Sequence, residues 1–156
     1  MTYVGDANKE DAGGCFFCRA WQEKGRERQH LLVARTDLCL IMLNRFPYAS
    51  AHLMLAPARH VGDVEEATLD EGRELWRLAA VAKKVLRNTV RQQGFNIGIN
   101  QGRSAGAGVL DHLHVHVVPR WTGDVNFMPV LADLKVIPQA LEETWELLTP
   151  YFADWL

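Results

Sequence analysis

Three histidines alternate with apolar residues in the segment His112-Leu-His-Val-His116. Alternate side chains of an extended strand share one face, so His112, His114 and His116 are predicted to point to the same side. A rise of about 3.3 Å per residue would place neighbouring histidines about 6.6 Å apart. Two neighbours could share a metal ion but three could not, which leaves at least one imidazole for another task. Because imidazole titrates near neutral pH, the row suits nucleophilic or acid–base catalysis.

A second group of potential ligands begins with Cys15 and Cys18, which have the spacing of a metal-binding pair. Two thiolates leave a tetrahedral zinc ion half coordinated, and His60 and His112 are the candidates for the remaining positions. A redox-active Cys-x-x-Cys is one alternative, although this N-terminal region lacks the βαβ pattern in which such motifs occur. The other alternative is that the two cysteines have no shared metal-binding or redox role. The residues alone leave these alternatives open, with zinc favoured.

A glycine-rich segment, Gly102-Arg-Ser-Ala-Gly-Ala-Gly108, precedes the histidine row. Small residues allow backbone N–H groups to approach an anionic ligand closely, as they do in phosphate-binding nests. The segment is not a P-loop, because no Gly-Lys-Ser/Thr follows it. Four arginines flank the predicted strand ends, where each is either an added positive charge for the ligand or an ordinary surface side chain: Arg45, Arg59, Arg103 and Arg120.

Short strands are predicted to carry most of these residues. Each strand is an apolar or alternating run bounded by turn residues, as seen at 31–34, 38–43, 52–56, 95–100 and 113–118. Pro57 and Pro119 are expected to end two of these strands, because proline cannot donate a hydrogen bond to the sheet. In the strand 113–118, the residues between the histidines are predicted to point into the core.

Two helices are predicted beside the strands. Thr68 and Glu71 form a capping-box signature, and the apolar stripe that follows predicts one long helix that Gly94 ends. A last helix is predicted over 139–148, directly after Pro138. Strands in series with one long helix indicate an α+β domain with a mainly antiparallel sheet.

The composition is that of an ordinary globular domain, with 48% hydrophobic and 23% charged residues. The 156 residues are interpreted as a flexible arm over 1–14 and one domain over 15–156. A formal net charge of −2 argues against nucleic-acid polymers as partners, and three cysteines are too few for a disulfide framework. No apolar run approaches the roughly 20 residues of a membrane span, and the polar start lacks the apolar centre of a secretory signal. We therefore expect a cytoplasmic protein without membrane contact.

The residues around the histidine row resemble the histidine triad (HIT) family, whose signature is His-x-His-x-His followed by apolar residues. The resemblance covers about 15 to 150 and rests on Cys15-x-x-Cys18, Leu43-Asn-Arg-Phe-Pro47, His52-Leu-Met-Leu-Ala-Pro57, the glycine-rich segment and His112-Leu-His-Val-His-Val-Val118. Further segments are similar to the branch with fragile-histidine-triad hydrolases and actinobacterial diadenosine tetraphosphate phosphorylases: Pro119-Arg-Trp121, Gly123-Asp124 and Asn126-Phe-Met128. The resemblance implies a HIT-like fold, a five-stranded antiparallel sheet with one long helix and a C-terminal helix, which continues as a ten-stranded sheet across a homodimer.

The resemblance also implies roles for the histidines. As the middle histidine, His114 would attack an α-phosphorus and form a nucleotidyl-histidine intermediate. It must then be neutral with one ring nitrogen free, so its other nitrogen is expected to donate a hydrogen bond to a backbone carbonyl. His116 would contact the phosphoryl oxygens or the leaving group. His52 matches the family's fourth active-site histidine, and His112 would support the nucleophile.

In zinc-bearing members of the family, the ligands correspond to two cysteines and two histidines of this chain, which implies a structural zinc ion on Cys15, Cys18, His60 and His112. Asn44 matches a position that contacts the nucleotide ribose in hydrolase relatives, whereas Asn100 and Trp121 match positions used by phosphorylase-type relatives. The expected nucleotide-binding residues are therefore Asn44, Asn100, Arg103, Gly106, Ala107, Gly108 and Trp121.

Three residues depart from the family pattern. Gly108 stands where hydrolase relatives have glutamine and phosphorylase-type relatives have serine, and Ala107 stands where phosphorylases have glycine. A side-chain ligand for phosphate is therefore missing, and backbone N–H groups or Arg103 would have to replace it. Ala51 stands where relatives usually have glycine. The choice between water and inorganic phosphate as final acceptor is left open by these departures.

The function implied is cleavage of dinucleoside polyphosphates, with diadenosine tetraphosphate as the expected substrate. A nucleoside phosphoramidate hydrolase is a related alternative, disfavoured by the Pro-Arg-Trp extension of the histidine strand. A nucleotide-binding or signalling module with little turnover is an alternative of another class, which an intact set of histidines argues against. A zinc-dependent hydrolase, in which His112 and His114 both coordinate the metal, is the third alternative.

Overall fold

The computed structural model describes residues 14–124 and 140–156. The predicted arm over 1–14, apart from Gly14, and the segment 126–128 lie outside the described residues. The helices are α1 (Phe16–Gln22), α2 (Glu27–His30), α3 (Leu69–Thr89) and α4 (Leu141–Ala153). The strands are β1 (Leu32–Arg35), β2 (Cys39–Leu43), β3 (Leu53–Pro57), β4 (Gly94–Ile99) and β5 (Val115–Arg120), and short 3-10 helices lie at Val64–Glu66 and Arg103–Ala105.

The strands form one five-stranded sheet in the order β1-β2-β3-β5-β4, with every neighbouring pair antiparallel. This confirms the predicted α+β fold with an antiparallel sheet, one long helix and a C-terminal helix. Every residue of β2 and β3 is buried, because apolar side chains cover the centre of the sheet on both faces. Among the described helices, none has the length and apolarity that crossing a membrane requires.

The two faces of the sheet carry different cores, and this difference positions the histidines. Val115 and Val117 pack in the core formed with α3 and α4, as the alternation predicted. His116 lies between them in sequence and pairs across the sheet with Met54, which belongs to the core that contains Phe17 of α1. Alternate residues of a strand face opposite ways, so His116 lies on the face that α1 covers.

Three predicted boundaries are wrong for identifiable reasons. Helix α3 begins after Thr68 with the predicted capping box, but it ends at Thr89 rather than at Gly94. Arg91 adopts a left-handed φ of 50°, and Gln93 N–H already donates to the carbonyl of Arg120 across the sheet. The chain has therefore turned into β4 before it reaches the glycine.

Pro119 does not end β5, which continues to Arg120. The pairing of β5 with β3 ends at Val117, so the missing N–H of Pro119 faces a position beyond the end of β3. Helix α4 likewise extends past Leu148 and includes Pro150, because Phe152 in its last turn is fully buried in the core. The remaining strand ends agree with the prediction to within two residues.

Helices α1 and α2 were not predicted from the sequence. Helix α1 has seven residues, too few for a periodic apolar pattern to be recognised. Phe17 and Ala20 are its buried residues, and their burial against the sheet stabilises the helix where its own length would not.

Candidate active site and metal site

Four buried histidines, the histidine cluster, come together on the α1 face of the sheet. Their exposed fractions are 0% for His52, 1% for His112, 4% for His114 and 9% for His116. The last three lie on the same side of the sheet, but only His116 belongs to the strand itself, because β5 begins at Val115. The chain before that strand leaves the extended path, since Leu113 N–H donates to Val61 O instead of to a sheet neighbour.

His114 is held with one ring nitrogen engaged and the other available. Its Nδ1 lies 2.8 Å from the carbonyl oxygen of His112. A carbonyl only accepts, so Nδ1 carries the hydrogen and Nε2 carries the lone pair. Burial lowers the pKa of His114, which keeps its ring neutral at pH 7. The Phe17 ring, 5.3 Å away between centroids, packs against it. This is the state expected of a nucleophilic histidine, neutral and with one ring nitrogen free.

His116 and His52 form a directly hydrogen-bonded pair. His52 Nε2 lies 2.9 Å from His116 Nδ1, and the rings of His116 and His114 meet edge to face with centroids 4.7 Å apart. Burial lowers the pKa of His52 to about 3 and that of His116 to about 4. Both rings are therefore neutral at pH 7, and the pair shares a single N–H between two nitrogens.

The second cluster brings together the four predicted metal ligands and is named the cysteine–histidine cluster: Cys15, Cys18, His60 and His112. Their ligand atoms all lie within 4.8 Å of one another. His112 Nδ1 is 3.2 Å from Cys15 Sγ, 3.7 Å from Cys18 Sγ and 3.2 Å from His60 Nδ1. A tetrahedron with zinc bonds of about 2.0–2.3 Å has edges of about 3.3–3.8 Å. The cluster therefore has the ligand types and spacing to bind a tetrahedral metal ion.

Local structure explains why these four atoms converge. Cys15 and Cys18 flank the first turn of α1, where residues three apart lie on the same side. His112 Nε2 donates to the carbonyl oxygen of Pro57 at 2.9 Å, which leaves its Nδ1 lone pair for a metal. Burial and the neighbouring Cys15 raise the pKa of the Cys18 thiol to about 11, so two thiolates here need a cation beside them.

The predicted nucleotide-binding residues are distributed unevenly around the histidine cluster. Asn100 follows Ile99, which pairs with Val115, so it lies at the sheet end where His114 is found. Trp121 follows Arg120 at the opposite end of β5 and, seven residues on from His114, is not brought near it within the chain. Gly106 has φ 79° and ends the 3-10 helix that contains Arg103. Their roles stay predictions.

Two residues that the sequence analysis did not assign have direct contacts with the histidines. Phe17 packs on His112 and His114 with centroids 4.8 and 5.3 Å away. Tyr48 donates its backbone N–H to His52 Nδ1 at 3.2 Å and places its ring 4.9 Å from the His52 ring. The residue type of Tyr48 carries no signal of this hydrogen bond, because the donor is a backbone N–H. The φ of 57° at Ala51, a left-handed value, explains why glycine suits that position.

A family model described as HIT domain matches residues 25–123. Two Mycobacterium tuberculosis proteins, each named AP-4-A phosphorylase, are 45% identical to the chain over 127 residues. The match covers 81% of this chain, which spans only 65% of the length of those relatives. A bis(5'-adenosyl)-triphosphatase from Dictyostelium discoideum is 30% identical over 93 residues, which are 60% of this chain and 62% of that protein.

The fold also matches solved structures. A zinc-bound histidine triad family protein from Mycobacterium smegmatis superposes with a TM-score of 0.69 at 22% identity, over 91% of this chain and 95% of that one. At this identity, the likeness shows a shared fold. The family model covers more than half of the chain, including all five strands and the histidine row. Sequence, fold and histidine cluster therefore agree that this chain belongs to the HIT domain family.

Proposed function

We propose that the chain is an enzyme that cleaves dinucleoside polyphosphates at an α-phosphate, through a nucleotidyl intermediate on His114. The observation that carries the proposal is the 2.8 Å hydrogen bond from His114 Nδ1 to the His112 carbonyl oxygen, which leaves Nε2 as a buried nucleophile. The relatives named AP-4-A phosphorylase, at 45% identity, support diadenosine tetraphosphate as the substrate.

In the first step, the lone pair of His114 Nε2 forms a bond to the α-phosphorus of one adenosine. The bond from that phosphorus to the bridging oxygen breaks, and its electron pair leaves with the oxygen, so that ATP departs as an anion. The Nδ1 hydrogen stays in place. Its hydrogen bond to the carbonyl of His112 stabilises the positive charge that the imidazole gains.

The second step transfers the adenylyl group to an acceptor. An oxygen of inorganic phosphate attacks the phosphorus, the bond to Nε2 breaks, and its electron pair returns to the histidine, which gives ADP. We favour phosphate because the 45% identical relatives are named phosphorylases. Water, which gives AMP, is the second candidate. The 30% identical triphosphatase and the absence of a serine side chain at Gly108 favour it.

A zinc ion held by the cysteine–histidine cluster would supply structure rather than chemistry. The lone pair of His112 Nδ1 faces this cluster, whereas His114 Nδ1 is engaged with a carbonyl. The four residues whose ligand atoms cluster do not include His114, which argues against a zinc-dependent hydrolase with both histidines on the metal. We further expect a cytoplasmic homodimer. Among the described residues, β4 lies at an edge of the sheet and pairs only with β5, so its other side is where the strand of a second chain could pair.

The experiment is incubation of the chain with diadenosine tetraphosphate, with and without inorganic phosphate. ADP plus ATP that form only with phosphate are the expected products, whereas AMP plus ATP in its absence would assign hydrolysis. Mass spectrometry of the quenched protein should find one adenylyl group, and His114→Ala should lose both this group and turnover. The matched control is His30→Gln, since His30 pairs with Glu23 and lies outside both the histidine cluster and the cysteine–histidine cluster. Full turnover by His114→Ala would overturn the proposal, and binding without any turnover by the wild type would favour the binding module.

A further inference from the structure

The ring of His52 receives hydrogen bonds on one nitrogen from two groups of the preceding loop. The backbone N–H of Tyr48 points at His52 Nδ1 at 3.2 Å, and the side-chain amide nitrogen of Asn44 lies 3.3 Å from the same atom. A backbone N–H only donates, so His52 Nδ1 must accept and carry the lone pair.

The orientation of the Asn44 amide follows from its other contact. Its Oδ1 accepts a hydrogen bond from the backbone N–H of Phe46 at 2.9 Å. The amide nitrogen therefore faces His52, where it donates to the nitrogen that Tyr48 N–H already defines as an acceptor. Both polar groups of Asn44 are engaged within the protein.

The tautomer of His52 then determines that of His116. With its lone pair on Nδ1, a neutral His52 carries its hydrogen on Nε2, which lies 2.9 Å from His116 Nδ1. His116 Nδ1 must accept this hydrogen bond, so a neutral His116 carries its own hydrogen on Nε2. Burial lowers the pKa of both rings, to about 3 and about 4, which keeps each ring in the neutral state that this sequence of bonds requires.

We propose that Asn44 is a positioning residue: together with the backbone N–H of Tyr48, it holds His52 and His116 in the tautomers in which His116 presents an N–H to the oxygen that leaves the α-phosphorus. The chemical part of this inference rests on the proposed function. No proton needs to be transferred, because the N–H stabilises the charge that develops on the oxygen as the P–O bond breaks. The opposite tautomer would aim a lone pair at that oxygen and repel it.

The ring of Tyr48 reinforces this arrangement. It packs on His52 and His116 with centroids 4.9 and 5.9 Å away, while 57% of the residue remains exposed. One side of the ring therefore shields the histidine pair from water. A shielded hydrogen bond is stronger than an exposed one, so the tautomers are held more firmly.

The test is Asn44→Asp, which keeps an acceptor for Phe46 N–H but replaces the donor that faces His52 by an acceptor. A hydrogen bond to a charged carboxylate is stronger than one from a neutral backbone N–H, so we expect His52 to move its hydrogen to Nδ1 despite Tyr48. His116 should then move its hydrogen to the nitrogen that faces His52. Long-range ¹H–¹⁵N spectra of the free, metal-loaded protein report these tautomers without substrate. Asn88→Asp makes the same change at an exposed site on α3 and should leave the spectra unchanged.

Kinetics then test the consequence for the leaving group. Loss of one donor to a developing oxyanion lowers kcat by about 100-fold to 1000-fold. We expect a loss of about 100-fold for Asn44→Asp on the phenyl ester of AMP, and a loss below about 10-fold on the 4-nitrophenyl ester, whose anion needs less stabilisation. Asn44→Ala removes the donor without adding an acceptor, and Tyr48 N–H still holds the tautomer, so its losses should be smaller than those of Asn44→Asp on both esters.

Unchanged His52 and His116 tautomers in Asn44→Asp would overturn the proposal. Equal losses on the two esters, or equal losses for Asn44→Ala and Asn44→Asp, would assign Asn44 a merely structural role and overturn it too. Failure of the proposed function has a different signature, in which wild-type protein turns over neither ester nor diadenosine tetraphosphate. In that case, the spectra still decide whether Asn44 sets the tautomers, and the role in leaving-group stabilisation is lost.

Discussion

At the scale of single residues, three of the four imidazoles of the histidine cluster are oriented by a backbone group that can act in only one way. The carbonyls of Pro57 and His112 can only accept, which assigns hydrogens to His112 Nε2 and His114 Nδ1. The backbone N–H of Tyr48 can only donate, which assigns a lone pair to His52 Nδ1. Backbone groups cannot rotate away or titrate, so the nitrogens left for metal and substrate are defined before either binds.

The buried His52 and His116 should make stability fall in mild acid. Their folded pKa values, about 3 and about 4, lie below the ordinary 6.5 that they regain on unfolding. Below pH 6.5, the unfolded chain thus binds protons that the folded chain excludes, so the contribution present above pH 6.5 is lost as the pH falls. Each group should lower the free energy of unfolding by up to about 1.4 kcal/mol per pH unit between pH 6.5 and its folded pKa. Urea unfolding at pH 6.5, 5.5 and 4.5 measures the slope.

Comparison of the wild type with His52→Gln isolates the part of this pH dependence that is due to the His52 ring. The variant keeps the cysteine–histidine cluster, so any pH dependence from metal binding cancels between the two proteins. We expect a shallower acid slope in His52→Gln and an unchanged slope in Asn88→Gln, which changes an exposed residue of α3 without adding or removing a titratable group. Identical slopes in all three proteins would show that burial of these imidazoles does not control the acid stability.

At the scale of elements, the sequence predicted the sheet well and the surroundings of the site poorly. The five strands are recognisable because each alternates or is wholly apolar over four to six residues, and burial requires that pattern. The extended row at His112 was predicted wrongly, because the hydrogen bond from Leu113 N–H to Val61 depends on a loop far away in sequence. The contact of Tyr48 with His52 could not be predicted from the sequence either, since it uses a backbone N–H that every residue except proline carries.

A second element-scale feature is the link between helix α3 and the loop that holds His60. The buried Glu71 accepts hydrogen bonds from Arg59 at 2.8 and 3.0 Å and from Thr68 N–H at 2.7 Å. These contacts lower the pKa of Glu71 to about 2, with Arg59 the largest cause. One carboxylate thus caps α3 and fixes the residue next to a metal ligand.

Glu71→Gln should therefore destabilise the chain by about 1–2 kcal/mol at pH 7. The amide keeps one acceptor but turns an NH₂ group toward either Arg59 or Thr68 N–H, both of which are donors. Asp70→Asn is the matched control, since Asp70 and Arg73 form an ion pair with both side chains more than 70% exposed, and its change should stay within about 0.5 kcal/mol. Urea unfolding of both variants measures the difference. Equal, small losses of stability in Glu71→Gln and Asp70→Asn would mean that the Arg59–Glu71 contact contributes no more to the stability than a surface ion pair does.

At the scale of the whole molecule, the cysteine–histidine cluster connects parts of the chain that are far apart in sequence. Cys15 directly precedes α1, Cys18 lies within it, His60 follows β3, and His112 precedes β5. Helix α1 has few turns of its own, and its Phe17 covers both His112 and His114. A metal bound here would therefore hold the helix that shields the nucleophile, which makes the metal site part of the architecture of the histidine cluster.

We expect one zinc ion per chain and a loss of stability when it is removed. Cys18→Ser removes a thiolate, so metal analysis should find less than about 0.1 zinc per chain, and urea unfolding should show a loss of several kcal/mol, because binding free energy contributes to folding. Cys39→Ala is the matched control for metal content, since Cys39 is buried in the core on the other face of the sheet. It should keep one zinc.

Chelation of the wild type should lower stability more than turnover per folded molecule, since His114 takes its orientation from a carbonyl and not from the metal. Activity that vanishes on chelation while α1 stays folded would instead assign the metal a catalytic role.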